Sequence, residues 1–225
     1  MPNTIEFRHR AHEVSRVEAF SDVIFGFAIS LLVVSLEAPK SYAEMMTVLR
    51  GFLPFAFCFF IFIDIWFEHH DFYKRYAMHD RPTMVLNTVL LFVVLFYVYP
   101  LKYMSLLIVH AGHDELTIEQ GVVLYTIYGI GFAAVFWLLA AMFTRAYMKR
   151  DELGLNEVEI IDTRESIYDN FFVGCFGVLS IILAHTAPRY AGVVYFLIAV
   201  PKTIVPWTMG VKRRKIEQQL MAATA

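Results

Sequence analysis

Six apolar runs of membrane-spanning length, separated by short polar segments, leave few folds open to this chain. They cover about residues 17–36, 45–69, 84–107, 121–144, 167–185 and 190–209. A membrane-spanning helix needs about 20 mostly apolar residues. The chain therefore reads as an all-α polytopic membrane protein, one six-helix domain over residues 1–225. Its 58% hydrophobic content exceeds the roughly 45–50% of a soluble domain. The formal net charge of −2 says little about partners, because the charges gather at the ends of the runs. The expected surroundings are a lipid bilayer, with no nucleic acid. Cys58 and Cys175 lie inside apolar runs, so no disulfide is expected. The polar first fifteen residues lack a small-residue cleavage site after an apolar core, so the first helix is expected to stay.

The first run is unusual. From Arg16 to Glu37 it reads RVEAFSDVIFGFAISLLVVSLE. Asp22 falls at or inside the membrane boundary, where a carboxylate costs up to about 2.5–3.5 kcal/mol at the bilayer centre. At about 100° per residue, Phe20, Val23, Phe27, Leu31 and Val34 form one stripe, flanked by Ser30. Ser21 and Asp22 turn away from it. The fully apolar part is short, so the run spans only if the Phe20–Asp22 region is shielded by neighbouring helices.

Six spans put both termini on one side. Arg8, Arg10, Arg16, Lys74, Arg75, Arg81, Arg145, Lys149, Arg150, Arg164 and the run Lys212-Arg213-Arg214-Lys215 fall on that side. Only Lys40, Arg50, Lys102 and Arg189 fall on the other. Positive residues mark the cytoplasmic side, so both termini are expected there. Residues 71–83 read as a loop, and the acidic stretch 151–165 as a short surface helix or ordered loop. A break is expected at Ala38-Pro39-Lys40-Ser41. This topology puts Arg16, Ser21, Asp22, Trp66, His69, His70 and Asn87 at one depth. On the second span Trp66, His69 and His70 share a face at i, i+3, i+4. Carboxylate, hydroxyl, imidazole and amide groups there can satisfy one another by hydrogen bonds.

An arginine, then Phe-Ser-Asp four residues on, then an apolar helix with a small hydroxyl residue, resembles the transmembrane protein 175 family of lysosomal and prokaryotic potassium channels. The resemblance rests on Arg16, Phe20-Ser21-Asp22, the Trp66-x-x-His69-His70 ending, and Asn87 with Pro100. It implies a single-repeat prokaryotic member in the cell membrane, assembled as a homotetramer around a central pore lined by the first helix. It also implies a leak-like potassium conductance and no TVGYG filter. Bulky side chains on that helix make the narrow layers, which fall on Phe27, Leu31 and Val34, with the hydroxyl layer on Ser30. Arg16 and Phe20-Ser21-Asp22 are then structural. Val23 replaces a usual small residue, Phe27 a usual isoleucine, and Ser30 a common threonine. No cofactor is implied beyond permeant potassium ions, and other monovalent cations are possible permeants.

Other signals carry blander readings. The Phe27, Leu31, Val34 stripe taken alone fits core packing. Arg16 and Asp22 read as an ion pair at the helix end. His69 and His70 are adjacent, about 100° apart on a helix, and make poor co-ligands, so no metal site is expected. Asp64 and Lys202 lie at similar depth and read as a buried ion pair. A proton-coupled secondary transporter using Asp64, Lys202, His69 and His70 is the alternative function. Asp64, Glu68 and Asp71 read as a solvated helix end. The glycines of Tyr128-Gly129-Ile130-Gly131 read as close helix contacts rather than a filter. No nucleophile and base stand at convincing spacing, so an enzyme is not expected.

Overall fold

A computed structural model describes residues 6–11, 13–34, 41–50, 52–109 and 117–224. The described chain is helical: α1 (Arg16–Val34), α2 (Tyr42–Arg50), α3 (Phe52–Tyr76), α4 (Arg81–Val109), α5 (Ile118–Met148), α6 (Glu157–Thr186) and α7 (Ala199–Thr224). Two short 3-10 turns, Pro188–Tyr190 and Val193–Ile198, lead into α7. Among the described residues there is no strand. Among the described residues, four stretches are long and apolar enough to cross a membrane: Arg81–Tyr103, Ile118–Met148, Glu157–Thr186 and Val193–Leu220.

Helix boundaries follow from caps and from buried aromatics. The Thr117 side chain accepts from Gln120 N while the Gln120 side chain accepts from Thr117 N, a capping box that starts α5. Asn156 and Glu159 do the same for α6. The expected surface segment at 151–165 is therefore largely the first turns of α6, where Val158 and Ile161 are buried. The expected loop at 71–83 shrinks to four residues, 77–80. Phe72, Tyr73 and Tyr76 are buried between the charges and carry α3 onward. Ala77 at φ 48° ends α3, and Gly154 at φ 59° turns the chain between α5 and α6. The last expected span opens as 3-10 turns and then runs helically through the basic run 212–215. The expected break at 38–41 lies outside the described residues except for Ser41.

At 1.5 Å per residue, α5 with 31 residues and α6 with 30 are each about 45 Å long, beyond the roughly 30 Å hydrocarbon core. Part of each helix therefore extends beyond it, and the charged residues gather at their joined ends. At that end Arg8 and Arg10 meet Glu159, and Arg213 pairs with Asp162 at 3.0 Å. The N-terminal segment, the α5–α6 turn and the basic part of α7 thus share one end of the bundle.

One core joins α1, α3, α4 and α5 through Phe25, Leu32, Phe62, Leu90, Phe132 and Phe143. Two glycines bring α5 and α6 close together. A Cβ on Gly129 would lie 2.5 Å from the Gly177 carbonyl oxygen, and one on Gly177 would lie 2.5 Å from that of Gly129. Only glycine lets these backbones meet. A Cβ on Gly131 would lie 2.4 Å from the Tyr97 ring, whose hydroxyl donates to Tyr128 O at 3.0 Å. Cys58 and Cys175 are free thiols.

Candidate functional site

Ser15 starts α1 by accepting Glu18 N at 3.1 Å. The helix then has two unlike faces. Ser21, Phe25, Ala28 and Leu32, spaced four, three and four apart, are buried against the subunit. Phe20, Val23 and Phe27 point away and are 62%, 69% and 56% exposed. Gly26 and Ser30 are exposed on the same side, and Leu31 is half-buried at its edge. Ser30 donates its hydroxyl to Gly26 O at 2.8 Å, which satisfies the proton within the helix and leaves oxygen lone pairs free. Val34 ends α1, and its side chain lies outside the described residues.

The buried face of α1 carries a directional polar relay. His69 Nε2 lies 2.8 Å from Asn87 Oδ1. An amide oxygen only accepts, so the imidazole donates from Nε2. Asn87 Nδ2 donates to Ser21 Oγ at 3.0 Å, and Ser21 Oγ donates to Val17 O at 2.8 Å. This ties α3 through α4 to α1, and His69, Asn87 and Ser21 are all buried. A second link is direct: Trp66 Nε1 donates to Asp22 Oδ1 at 2.9 Å. His70 stacks on Trp66 with ring centroids 5.5 Å apart and sits 3.8 Å from the buried Glu18.

Two expected members stand elsewhere. Arg16 is exposed and forms no ion pair with Asp22; residues six apart on a helix lie on different faces, whereas pairs meet at three or four. Phe20 belongs to the exposed face and not to the relay. Glu18 was missed, although its spacing of four from Asp22 puts it on the same face, one turn earlier.

Asp64 and Lys202 do meet, at 3.1 Å, but not alone. Lys202 Nζ is also 3.1 Å from Asp169 and 3.7 Å from Glu68. Asn170 Nδ2 donates to Glu68 Oε2 at 2.9 Å. Glu68 is thus part of a brace between α3, α6 and α7 and not a solvated end. Asp71 of the same acidic line pairs with Arg75 at 2.8 Å.

The segment ahead of α1 is strapped down as well. Arg8 donates from N, Nε and Nη2 to the Glu159 carboxylate, and Arg10 from Nη2, all within 3.0 Å. Phe7 packs edge-on against Tyr76 and lies under the guanidinium groups of Arg10 and Arg75. Glu159, whose side chain is fully buried, therefore caps α6 and also anchors the lead into α1.

A family model described as the endosomal/lysosomal potassium channel TMEM175 matches residues 16–100, from the start of α1 into α4. A protein of Marivirga tractuosa described as a potassium channel is 35% identical over 211 residues, covering 85% of each chain. The fold is similar to the crystal structure of the potassium channel MtTMEM175 T38A variant, with a TM-score of 0.73 at 32% identity over 97% of this chain and 98% of that one. A TMEM175 homologue from Chamaesiphon minutus, at 20% identity, shares the fold with a TM-score of 0.62 over 87% of this chain and 99% of that one.

Proposed function

The chain belongs to the TMEM175 family of potassium channels, and on that premise we propose that copies of its first helix line a potassium-permeable pore. The observation that carries this reading is the two-faced α1. Its inner face is bound to α3 and α4 by the relay and the Trp66–Asp22 bond, while Phe20, Val23 and Phe27 stand exposed on the other side. In a homotetramer with α1 nearest the axis, these outward faces converge. Phe27, Leu31 and Val34 then form successive apolar constrictions, which gate by side-chain size and wetting. Ser30 adds a ring of hydroxyl oxygens between them. Main-chain carbonyls inside a helix are committed to helix bonds, so selectivity for potassium over sodium comes from pore radius and the Ser30 ring. The family is a channel family and not an enzymatic one.

The shared end of the bundle, which holds the N-terminal strap and the basic part of α7, is the cytoplasmic end of a prokaryotic plasma-membrane protein. The lipid bilayer is its surroundings, and other monovalent cations pass less readily. A proton-coupled carrier has less support: Lys202 ties Asp64, Glu68 and Asp169 together, as a brace does.

The test is reconstitution into a planar bilayer with potassium on one side and sodium on the other. Discrete current steps reversing toward the potassium potential, and larger currents for Phe27→Ala with Leu31→Ala, are expected. pH-driven uptake in vesicles with no current steps would overturn the channel reading.

A further inference from the structure

Between the outer faces of α4, α5 and α6, at the same end as the N-terminal strap, lies a groove of about 880 Å³. Val85 and Leu86 of α4, Ala141 and Trp137 of α5, and Phe171 of α6 wall it. Its shape is held in place. Trp137 Nε1 donates to Phe171 O at 3.3 Å, and the two rings stack with centroids 6.3 Å apart. A Cβ on Gly174 would meet the Trp137 ring at 2.5 Å, so that glycine seats the indole. The room beside it is left by small side chains, including Ala141.

The mouth is cationic. Arg81 and Arg145 both line it. Asp80, next to Arg81 in sequence, is fully engaged elsewhere: its Oδ2 accepts Nε and Nη2 of Arg145, and its Oδ1 accepts Thr83 Oγ1 at 2.7 Å. Among the described residues, no carboxylate forms an ion pair with the exposed Arg81. The mouth therefore keeps one uncompensated positive charge. From Arg145 inward to Trp137 is eight residues of α5, about 12 Å along the axis.

We propose that this groove holds an anionic phospholipid, with its phosphate on Arg81 and an acyl chain lying between Trp137 and Leu86. An apolar slot with a charged mouth at the end of membrane-spanning helices matches the amphiphile in both chemistry and placement. A second protein would need to fill the apolar slot and also bring a carboxylate to the same mouth.

The experiment is native mass spectrometry of the assembled protein, equilibrated in mixed micelles with equal amounts of phosphatidylglycerol and phosphatidylcholine. Wild type is expected to retain the anionic lipid about five-fold in preference. Arg81→Ala, a change at an exposed side chain, should bring the two lipids to near parity. Ala141→Trp should fill the slot and lower retention of both. Equal retention of the two lipids by wild type, or a preference unchanged in Arg81→Ala, would overturn the proposal. Loss of subunits in Ala141→Trp with lipid retention unaltered would also overturn it, by making a second copy the occupant.

Discussion

The indole N–H of Trp66 on α3 donates to the Asp22 carboxylate on α1 across 2.9 Å. A carboxylate placed in the second turn of a membrane helix thus has a neutral donor from the neighbouring helix and not a cation. The bond sets the angle of α1 to α3 without adding a net charge on the buried side. Beside it, the relay from His69 through Asn87 to Ser21 does the same between α3, α4 and α1.

Trp66→Phe removes one hydrogen bond to a charged group and should lower stability by about 1.5–3 kcal/mol. Asn87→Leu leaves the buried His69 Nε2 without an acceptor, at about 1–3 kcal/mol, while Ser21 Oγ loses a donor but keeps its bond to Val17 O. Thermal unfolding in detergent reads both losses, and single-channel conductance should stay near wild type in each. Altered selectivity with unchanged stability would move these residues into the ion path.

Gly177 faces backbone, not a flexible side chain: an added Cβ would meet Gly129 O at 2.5 Å and Ala133 N at 2.9 Å. Gly177→Ala should cost about 1–3 kcal/mol by forcing α5 and α6 apart. At Gly210 an added Cβ meets nothing within 4 Å, so Gly210→Ala should be neutral or slightly stabilising. Paired melting curves in one detergent decide between them.

Lys202 answers three carboxylates, Asp64, Glu68 and Asp169. Lys202→Met leaves them facing one another and should destabilise the fold by about 3 kcal/mol, the low end for a buried pair because Asp64 is partly exposed. Adding Asp169→Asn should recover part of that loss. Asp64→Asn should cost under about 1 kcal/mol and leave the current nearly intact, whereas a carrier using Asp64 would lose transport.

Asp80 lies in the turn between α3 and α4, outside the membrane spans. Burial pushes its carboxyl up, but hydrogen bonds from Thr83 and Arg145 and the Arg145 charge outweigh this and hold it below the usual carboxylate range. A depressed folded value means that the contribution is full above the unfolded value and is lost as pH falls through the folded one. Wild type should therefore exceed Asp80→Asn in melting temperature at neutral pH, and the gap should close as the pH drops below about 4. A gap that is constant with pH would contradict the pairing.

The legible parts of this protein were those written in local periodicity and in polar residues placed where lipid forbids them. Ser21, Asp22, Trp66, His69 and Asn87 announced themselves as polar groups near span ends, and topology alone brought them to one depth. Helical spacing also separated the Phe20, Val23, Phe27 face from Ser21. It does not say which face meets the rest of the subunit; that depends on Phe25, Ala28 and Leu32 finding α3 and α4. Contacts far apart in sequence left no local mark. Arg8 and Arg10 reach Glu159 across about 150 positions, and Asp169 joins Lys202 from another helix. The extension of α3 to Tyr76 was hidden because Phe72, Tyr73 and Tyr76 alternate with charges that read as a loop.

The central claim is that the outward face of α1 meets the permeating ions. The most direct measurement is the macroscopic potassium current through the Ser30→Cys protein before and after a charged, membrane-impermeant methanethiosulfonate reagent. Val123→Cys, exposed on α5, serves as the comparison. Wild type, with Cys58 buried and Cys175 half-buried, sets the baseline. Rapid loss of current in Ser30→Cys alone is the predicted result. Unchanged current in Ser30→Cys, with block in Val123→Cys, would place the pore elsewhere and contradict the account.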